Sequence, residues 1–296
     1  MKKIALLGAT GFIGKSLAFE FSKRDDFEVS LVARSEEKVR EFVKQIQAED
    51  KFKIKNFEVF GKDEYDVIIN CTGIGNPKVL KEDPVRIFKT TEDIDELILA
   101  YIKGRPQTLY INLSSGAVYN ISPTASREEL LPKDFYAAAK RDSETRHRAL
   151  SELNMADIRI FSFFSRFIDL DSGFLMSEIT DCIKNKKIFM TSREDIVRDY
   201  VGPGDLLALI MSLMKQKKVN DFFDAYSAKP VSKLELLNKL HEEYHLEYSF
   251  SEAPVSTSPT GAKPSYFSKN KKSEHLGYSP RMSSLEVIVE EIGKLL

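Results

Sequence analysis

Apolar positions along the first half of the chain alternate between two rhythms. Ile4 to Leu7 form a short continuous apolar run, Gly8-Ala9-Thr10-Gly11-Phe12-Ile13-Gly14 follow, and Leu17, Ala18 and Phe21 then recur at helical spacing. This predicts strand, tight turn, helix. Phe27 to Ala33 predict a second strand, and Val39, Phe42, Val43 and Ile46 repeat at i, i+3, i+4 and i+7 as an amphipathic helix. Further strands are predicted near Phe52 to Phe60, where the pattern is faint, and at Asp66 to Cys71, Leu109 to Leu113 and Ile158 to about Phe163. Helices are predicted over Ile94 to Ile102 and from about Phe135. Strands alternating with helices imply an α/β fold with a parallel, doubly wound sheet. Beyond about Arg166 the alternation becomes irregular and predicts a smaller C-terminal α/β lobe, with Ser251 to Ser265 as a Ser-, Pro- and Thr-rich surface loop.

Composition removes several classes of function. A chain of 296 residues with 42% hydrophobic composition can bury a full core. Lys and Arg number 44 against 45 for Asp and Glu, and no segment concentrates one sign, so no nucleic-acid-binding face is expected and an anionic ligand must be met locally. No apolar stretch approaches the roughly 18 to 20 residues of a membrane span. Lys2 and Lys3 before Ile4 to Leu7 resemble the start of a signal peptide, but glycines interrupt the run and Lys15 ends it, which fits a first strand better. Cys71 and Cys182 lie far apart in apolar segments and read as buried free thiols of a reducing compartment; the expected location is the cytoplasm. His241 and His245 stand at i, i+4 with no nearby carboxylate or cysteine to complete a zinc pattern; they read as helix surface, and no metal is expected.

The glycine turn carries the first chemistry. A strand-end turn that binds a dinucleotide needs one glycine for positive φ, a second for close approach of backbone N–H groups to a pyrophosphate, and a third for close packing of helix on strand. Gly8, Gly11 and Gly14 suit these tasks, and Gly8, Thr10, Gly11, Phe12, Ile13 and Gly14 are the candidate cofactor-binding residues of the turn. The spacing alone also fits a ligand-free turn; its place after the first strand of a βαβ unit favours a Rossmann-type nucleotide domain. The second strand ends Ala33-Arg34-Ser35, with no acid before Glu36. A carboxylate there would accept the ribose 2′-OH of NAD, whereas the Arg34 guanidinium and Ser35 hydroxyl suit the 2′-phosphate of NADP. NADP is the expected cofactor and NAD the alternative. The division that follows is residues 1–165, with a returning segment at about 197–218, for the nucleotide domain, and 166–196 with 219–296 for a substrate lobe.

Tyr136 and Lys140 place a phenol and an ammonium on one helix face, after a strand end carrying Ser114-Ser115-Gly116-Ala117-Val118-Tyr119. At this point the chain resembles the extended short-chain dehydrogenases/reductases, the branch of nucleotide-sugar epimerases, dehydratases and ketoreductases. GATGFIG resembles the family's GxxGxxG, SSGAVY its SSxxVYG, YAAAK its YxxxK with an acid at Glu144, RIFS (159–162) an R-L-F-N segment, and RDYVGPGD (198–205) an RDYVHVDD segment. The resemblance spans nearly the whole chain. It implies catalysis by Ser115, Tyr136 and Lys140, cofactor contacts from Lys140 and Thr72, substrate contacts from Ser115, Ser162 and Arg198, a nucleotide-sugar substrate, and a homodimer through the helix carrying Tyr136. Departures are local. Ser162 stands where the family has a substrate-contacting asparagine, Phe164-Ser165 replace its Tyr-Gly-Pro, and Asn70-Cys71-Thr72-Gly73 replace His-x-Ala-Ala.

These groups suit hydride transfer. When a carbinol and a ketone interconvert, a proton must move at oxygen, and a free tyrosine with a pKa of about 10 exchanges it poorly at neutral pH. A nearby Lys140 ammonium favours phenolate, and Ser115 orients the substrate oxygen toward Tyr136. Arg198 reads as a clamp on the substrate diphosphate or as a surface ion pair with Asp199. The cluster Phe161, Phe163, Phe164 and Phe167 reads as core or pocket wall. Arg34, the chain length, and Gly116 where a dehydratase has an acid point to reduction of a nucleotide-linked 4-keto-6-deoxyhexose. An epimerase or dehydratase with retained NAD is the alternative within the class; a catalytically silent NADP-sensing regulator is the alternative outside it.

Overall fold

In the computed structural model, which describes residues 1–74, 82, 83, 85–122, 130–251 and 264–296, the predicted alternation builds a seven-stranded sheet. Its first six strands are β1 (Lys2–Leu7), β2 (Phe27–Val32), β3 (Phe52–Lys55), β4 (Val67–Asn70), β5 (Leu109–Ser115) and β6 (Met155–Ile160). Four short strands follow: β7 (Ser162–Phe163), β8 (Phe189–Thr191), β9 (Val197–Arg198) and β10 (Tyr200–Val201). The chain then returns to the sheet as β11 (Asn220–Ala225). The order is β11-β6-β5-β4-β1-β2-β3, parallel throughout. Strand order reverses between β1 and β4, and ligands of open α/β sheets bind in the crevice outside the strand ends at such a point.

The helices around it are α1 (Phe12–Ser22), α2 (Glu36–Gln45), α3 (Arg86–Lys103), α4 (Phe135–Ala149), α5 (Leu175–Asn185) and α6 (Pro203–Leu213). Because successive side chains leave a strand on opposite faces, Ile4 and Leu6 join a core with Leu17, Phe21 and Ile210, while Ala5 and Leu7 join another with Ile68, Ile98 and Tyr110. Both faces are covered, which is why β4, β5 and β6 are buried along their whole length, their polar residues Asn70, Asn112, Ser114, Ser115, Asp157 and Arg159 included.

A third core joins Phe164, Ile179 and Phe189 to residues of α7 (Lys233–Tyr244) and α8 (Ser284–Gly293). The strands β12 (Val231–Ser232), β13 (Tyr248–Phe250) and β14 (Ser265–Tyr266) complete this part, with β12 and β14 flanking β9. Arg166 ties α8 to the segment after the sixth strand through three bonds to Glu291, from its backbone nitrogen at 2.9 Å and from its guanidinium at 3.0 and 2.7 Å.

Three segments differ from the sequence pattern. Residues 220–225, which the expected division gives to the lobe, form the edge strand of the main sheet beside β6. Asn220-Asp221-Phe222-Phe223-Asp224 carries acids on both sides of two aromatics, so its burial is not written as an apolar run. The third strand stops at Lys55 instead of reaching Phe60. The sixth starts at Met155, ends at Ile160, and passes its continuation to β7, which pairs with β10. Of the expected surface loop, residues 252–263 lie outside the described residues. Among the described residues, no helix is long and apolar enough to cross a membrane.

Candidate active site

The glycine turn has the shape its spacing requires. Gly8 sits at φ +78°, and a Cβ there would lie 2.9 Å from both the Cys71 carbonyl carbon and the Thr72 nitrogen, at the end of β4. A Cβ on Gly14 would fall 2.1 Å from the Gly8 carbonyl oxygen, and one on Gly11 would fall 3.2 Å from the same atom. The bare backbone therefore forms a cradle that side chains would fill, at the N-terminus of α1, where orphan N–H groups and the helix dipole favour an anion. The residues present fit a dinucleotide pyrophosphate. Phe12 packs edge-on against Phe163 with centroids 5.2 Å apart, and Ile13 leans on the main core.

Arg34 is exposed just beyond β2, while the Ser35 hydroxyl caps α2 by accepting from the Lys38 nitrogen at 3.3 Å. The next acid, Glu36, is paired with Arg40 at 3.0 Å on the helix surface.

Ser115 ends β5 and caps the short 3₁₀ turn Gly116–Asn120, its hydroxyl accepting from the Ala117 nitrogen at 3.2 Å. Tyr136 lies in the first turn of α4; burial pushes its pKa above the ordinary value and the nearby Ser115 hydroxyl opposes the rise. Lys140, one turn on, is buried and donates to the Leu113 carbonyl at 2.8 Å. Its Nζ lies 3.6 Å from where a Cβ on Gly73 would stand, so it faces the end of β4 beside the nucleotide turn. Burial lowers the Lys140 pKa, and the carboxylates of Asp157, Asp95 and Glu144 oppose the fall. The fold thus brings Ser115, Tyr136, Lys140, Thr72 and Gly8 to one edge of the sheet.

Below this edge, Glu144 accepts from Ser114 Oγ at 2.5 Å and from Arg159 Nε at 3.0 Å, all three side chains being buried. Arg159 lies 4.6 Å from the centroid of the Tyr119 ring, and the Tyr119 hydroxyl donates to Asp224 at 3.0 Å. Gly116 is held small by Phe161: a Cβ there would lie 2.6 Å from the ring. An acid after Ser115 would have to displace that ring.

Arg198 is buried, and its surroundings dispose of the surface-pair alternative. Asp199 is turned to the Ser227 nitrogen at 2.9 Å and the Ser284 hydroxyl at 3.3 Å. Arg198 donates to the Val197 carbonyl at 2.9 Å, and burial lowers its pKa. Ser162 is half-buried on β7. Phe161 is half-buried and Phe164 fully buried, as wall and core.

Sequence reasoning missed two residues. Tyr266, on β14 beside Arg198, packs 5.1 Å from the Phe161 ring; burial raises its pKa and the nearby Ser115 hydroxyl opposes the rise. It follows a Ser- and Pro-rich stretch with no periodicity, so no signal marks it. His147 is fully buried between Asp157 and Asp95, whereas His241, His245 and His275 are exposed. Cys71 and Cys182 are free and half-buried, and the described residues hold no group of His, Cys, Asp or Glu side chains arranged for a metal.

A model of the NAD-dependent epimerase/dehydratase family matches residues 4–226, which includes the glycine turn, the Ser115 turn, Tyr136 and Lys140. The chain belongs to this family. That is the extended short-chain dehydrogenase/reductase group to which its motifs pointed. The fold is similar to UDP-glucose-4-epimerase from Stenotrophomonas maltophila, solved with NAD and formylated UDP-arabinopyranose, at a TM-score of 0.81 and 16% identity over 100% of this chain and 98% of that one. It is similar also to UDP-glucuronic acid 4-epimerase from Bacillus cereus (TM-score 0.79, 17% identity, 99% and 100% covered). A third similar structure is dTDP-glucose 4,6-dehydratase from Bacillus anthracis (TM-score 0.77, 14% identity, 99% and 96% covered). Among curated proteins, the chain is 28% identical to the NADP shikimate dehydrogenase of Clostridium botulinum over 116 residues. That match spans 39% of this chain and 43% of the enzyme, less than half of either.

Proposed function

We propose that this member of the family is an NADP-dependent oxidoreductase that reduces a nucleotide-linked sugar, a 4-keto-6-deoxyhexose, with Tyr136 as general acid. The observation that carries the reading is the convergence of Ser115, Tyr136 and Lys140 beside the glycine cradle, with Arg34 and no free carboxylate at the end of β2. NADPH, when bound, supplies the hydride. Ser115 donates to the carbonyl oxygen of the substrate and aligns it with the Tyr136 phenol, which gives its proton to that oxygen. Lys140 stabilises the phenolate left behind and holds a ribose hydroxyl of the cofactor. Arg198, buried beside Tyr266, is the cation proposed for the substrate diphosphate, and Ser162 a polar contact at the pocket edge. The division into a nucleotide domain and a substrate lobe, and a homodimer through α4, belong to the same proposal.

The epimerases and the dehydratase it resembles in fold were solved with NAD, which keeps the second reading, an epimerase or dehydratase with retained NAD, in view. Titration with NADPH and NADH, followed by 340 nm absorbance with a panel of nucleotide-linked 4-keto-6-deoxy sugars, separates the two. NADPH oxidation abolished by Tyr136→Phe supports the reductase; copurified NAD with no net oxidation replaces it with the second reading.

A further inference from the structure

Beneath the nucleotide turn, six buried side chains close a ring of hydrogen bonds. His147 Nδ1 lies 2.9 Å from Asp157 Oδ1, and Nε2 lies 2.7 Å from Asp95 Oδ1. Both ring nitrogens therefore face carboxylates, and the imidazolium is the form that donates to both. Asp157 accepts from Asn112 Nδ2 at 2.8 Å, and Asn112 Oδ1 accepts from Asn70 Nδ2 at 3.3 Å. Asn70 Nδ2 also donates to the Tyr110 hydroxyl at 3.1 Å, which donates to Asp95 at 3.0 Å and closes the circuit.

The ring has a direction. A carboxylate only accepts, so Asp157 forces Asn112 to turn its NH₂ inward and its carbonyl toward Asn70, and Asp95 takes the Tyr110 proton. Both Asn70 N–H groups are then used inside the ring, and its carbonyl faces outward. There it accepts from the Thr72 nitrogen at 3.0 Å and from Thr72 Oγ1 at 2.5 Å. The single proton of the Thr72 hydroxyl is committed to Asn70, and what remains for a ligand is lone pairs. Thr72 is half-buried between Gly8 of the turn and Gly73, which borders Lys140.

We propose that the Asp95–His147–Asp157 ring fixes Thr72 as a hydrogen-bond acceptor for a donor on the nicotinamide riboside half of the cofactor, with His147 as the positioning residue that bridges and holds the two carboxylates whose acceptance sets the ring's direction. This rests on the dinucleotide reading above. An apolar core would pack the same space, and a buried charge network is not needed for stability there. What such a core cannot supply is a fixed polarity two residues past the end of the ring.

The test is binding, not turnover. Wild type, Thr72→Val and Thr72→Ser are titrated with NADPH and with 2′,5′-ADP, which lacks the nicotinamide half; if NADH binds tighter, NADH and ADP replace them. Thr72→Val is expected to weaken the whole dinucleotide about tenfold, one good hydrogen bond, and to leave the adenosine half within about twofold, with Thr72→Ser restoring wild-type affinity. His147→Gln and Asn112→Ala, both buried inside the ring, are expected to show the same selective loss; Asn112→Ala keeps both carboxylates on His147 and serves where His147→Gln does not fold. Unchanged dinucleotide affinity in Thr72→Val, or equal loss of both ligands, overturns the proposal alone. A wild type that binds neither dinucleotide overturns the cofactor reading and the proposal with it.

Discussion

The Lys140 ammonium donates to the main-chain carbonyl of Leu113 at 2.8 Å, so the helix bearing Tyr136 is bonded to the strand that ends in Ser115 by the lysine that lies one turn beyond Tyr136. Lys140 therefore has two tasks, positioning and charge. Lys140→Met is expected to lower kcat/KM by about 100-fold or more, the usual scale for an assisted proton transfer. Lys140→Arg keeps the charge but not the compact ammonium geometry, and should recover only part of the loss. Steady-state rates with thermal unfolding as a control decide this; a fully active Lys140→Met removes Lys140 from the chemistry.

Gly14 is the most constrained position of the turn. A Cβ placed 2.1 Å from the Gly8 carbonyl oxygen must move backbone, so Gly14→Ala is expected to abolish dinucleotide binding and to lower the unfolding temperature. Gly61 is the internal control, since nothing lies within 4 Å of its Cβ direction. Gly61→Ala should leave binding intact and change stability by less than about 1 kcal/mol. Intact binding in Gly14→Ala would show that the cradle is not the nucleotide site.

The contrast between Gly14 and His147 also shows what the sequence makes legible. Gly8, Gly11 and Gly14 are readable because a backbone requirement has few chemical solutions, and Tyr136 with Lys140 because helical spacing is local. The first six strands and their parallel, doubly wound arrangement are legible from the same local patterns. The contacts that were not legible are those that long loops bring together: Tyr266 meets the Phe161 ring from 105 positions further along the chain, and Asp95 meets His147 from a different helix. The strand 220–225 was hidden for another reason. Asp224 is buried, but its carboxylate is satisfied by Tyr119 and Ser268, so a polar residue occupies a place that the apolar pattern reserves for hydrophobes.

Arg34 tests the cofactor choice directly. It stands exposed at the end of β2, and the nearest acid, Glu36, is engaged with Arg40. Arg34→Asp should reverse the preference, weakening NADPH by about 10- to 100-fold, the scale of one or two charge-assisted hydrogen bonds, while NADH weakens little or improves. Parallel titrations of both reduced dinucleotides read the ratio. A ratio unmoved by the substitution would place the 2′-position away from Arg34.

Breaking the Arg159–Glu144 pair from one side should unfold more than it inactivates. Both side chains are buried, Glu144 also accepts from Ser114, and removal of one partner leaves the other charge in the interior. Arg159→Ala is expected to cost about 3 to 5 kcal/mol, whereas Arg159→Met with Glu144→Gln, which removes both charges, should cost less. Urea unfolding of the two variants decides it, and equal losses would show that packing around Arg159, which lies 3.6 Å from the Phe222 ring centroid, dominates over its charge.

His147 gives the fold a pH dependence of definite sign. Its imidazole is raised from 6.5 to about 9; burial alone would lower it, and Asp157 and Asp95 overcome that cost, with Arg146 and Arg148 beside them and the Tyr110 ring edge-on at 5.2 Å. The folded chain thus holds a proton that the unfolded chain releases at a lower pH. A raised folded-state value stabilises fully below the unfolded value near 6.5, and the stabilisation is lost as pH climbs through about 9. A shift of this size corresponds to a contribution on the order of 3 kcal/mol. Asp157, whose own pKa is lowered chiefly by the charge of His147 against its burial, adds a loss at the acid end, as pH falls through its folded value. Unfolding free energies measured between pH 6 and 10 should therefore fall from about pH 6.5 to about pH 9 in wild type and level off above. In His147→Gln, already weaker at neutral pH, the fall should be much smaller, because the proton that drives it is gone. Parallel curves for the two proteins would mean that the imidazole does not gain its proton on folding, and that the two carboxylates are neutralised from the arginine side instead.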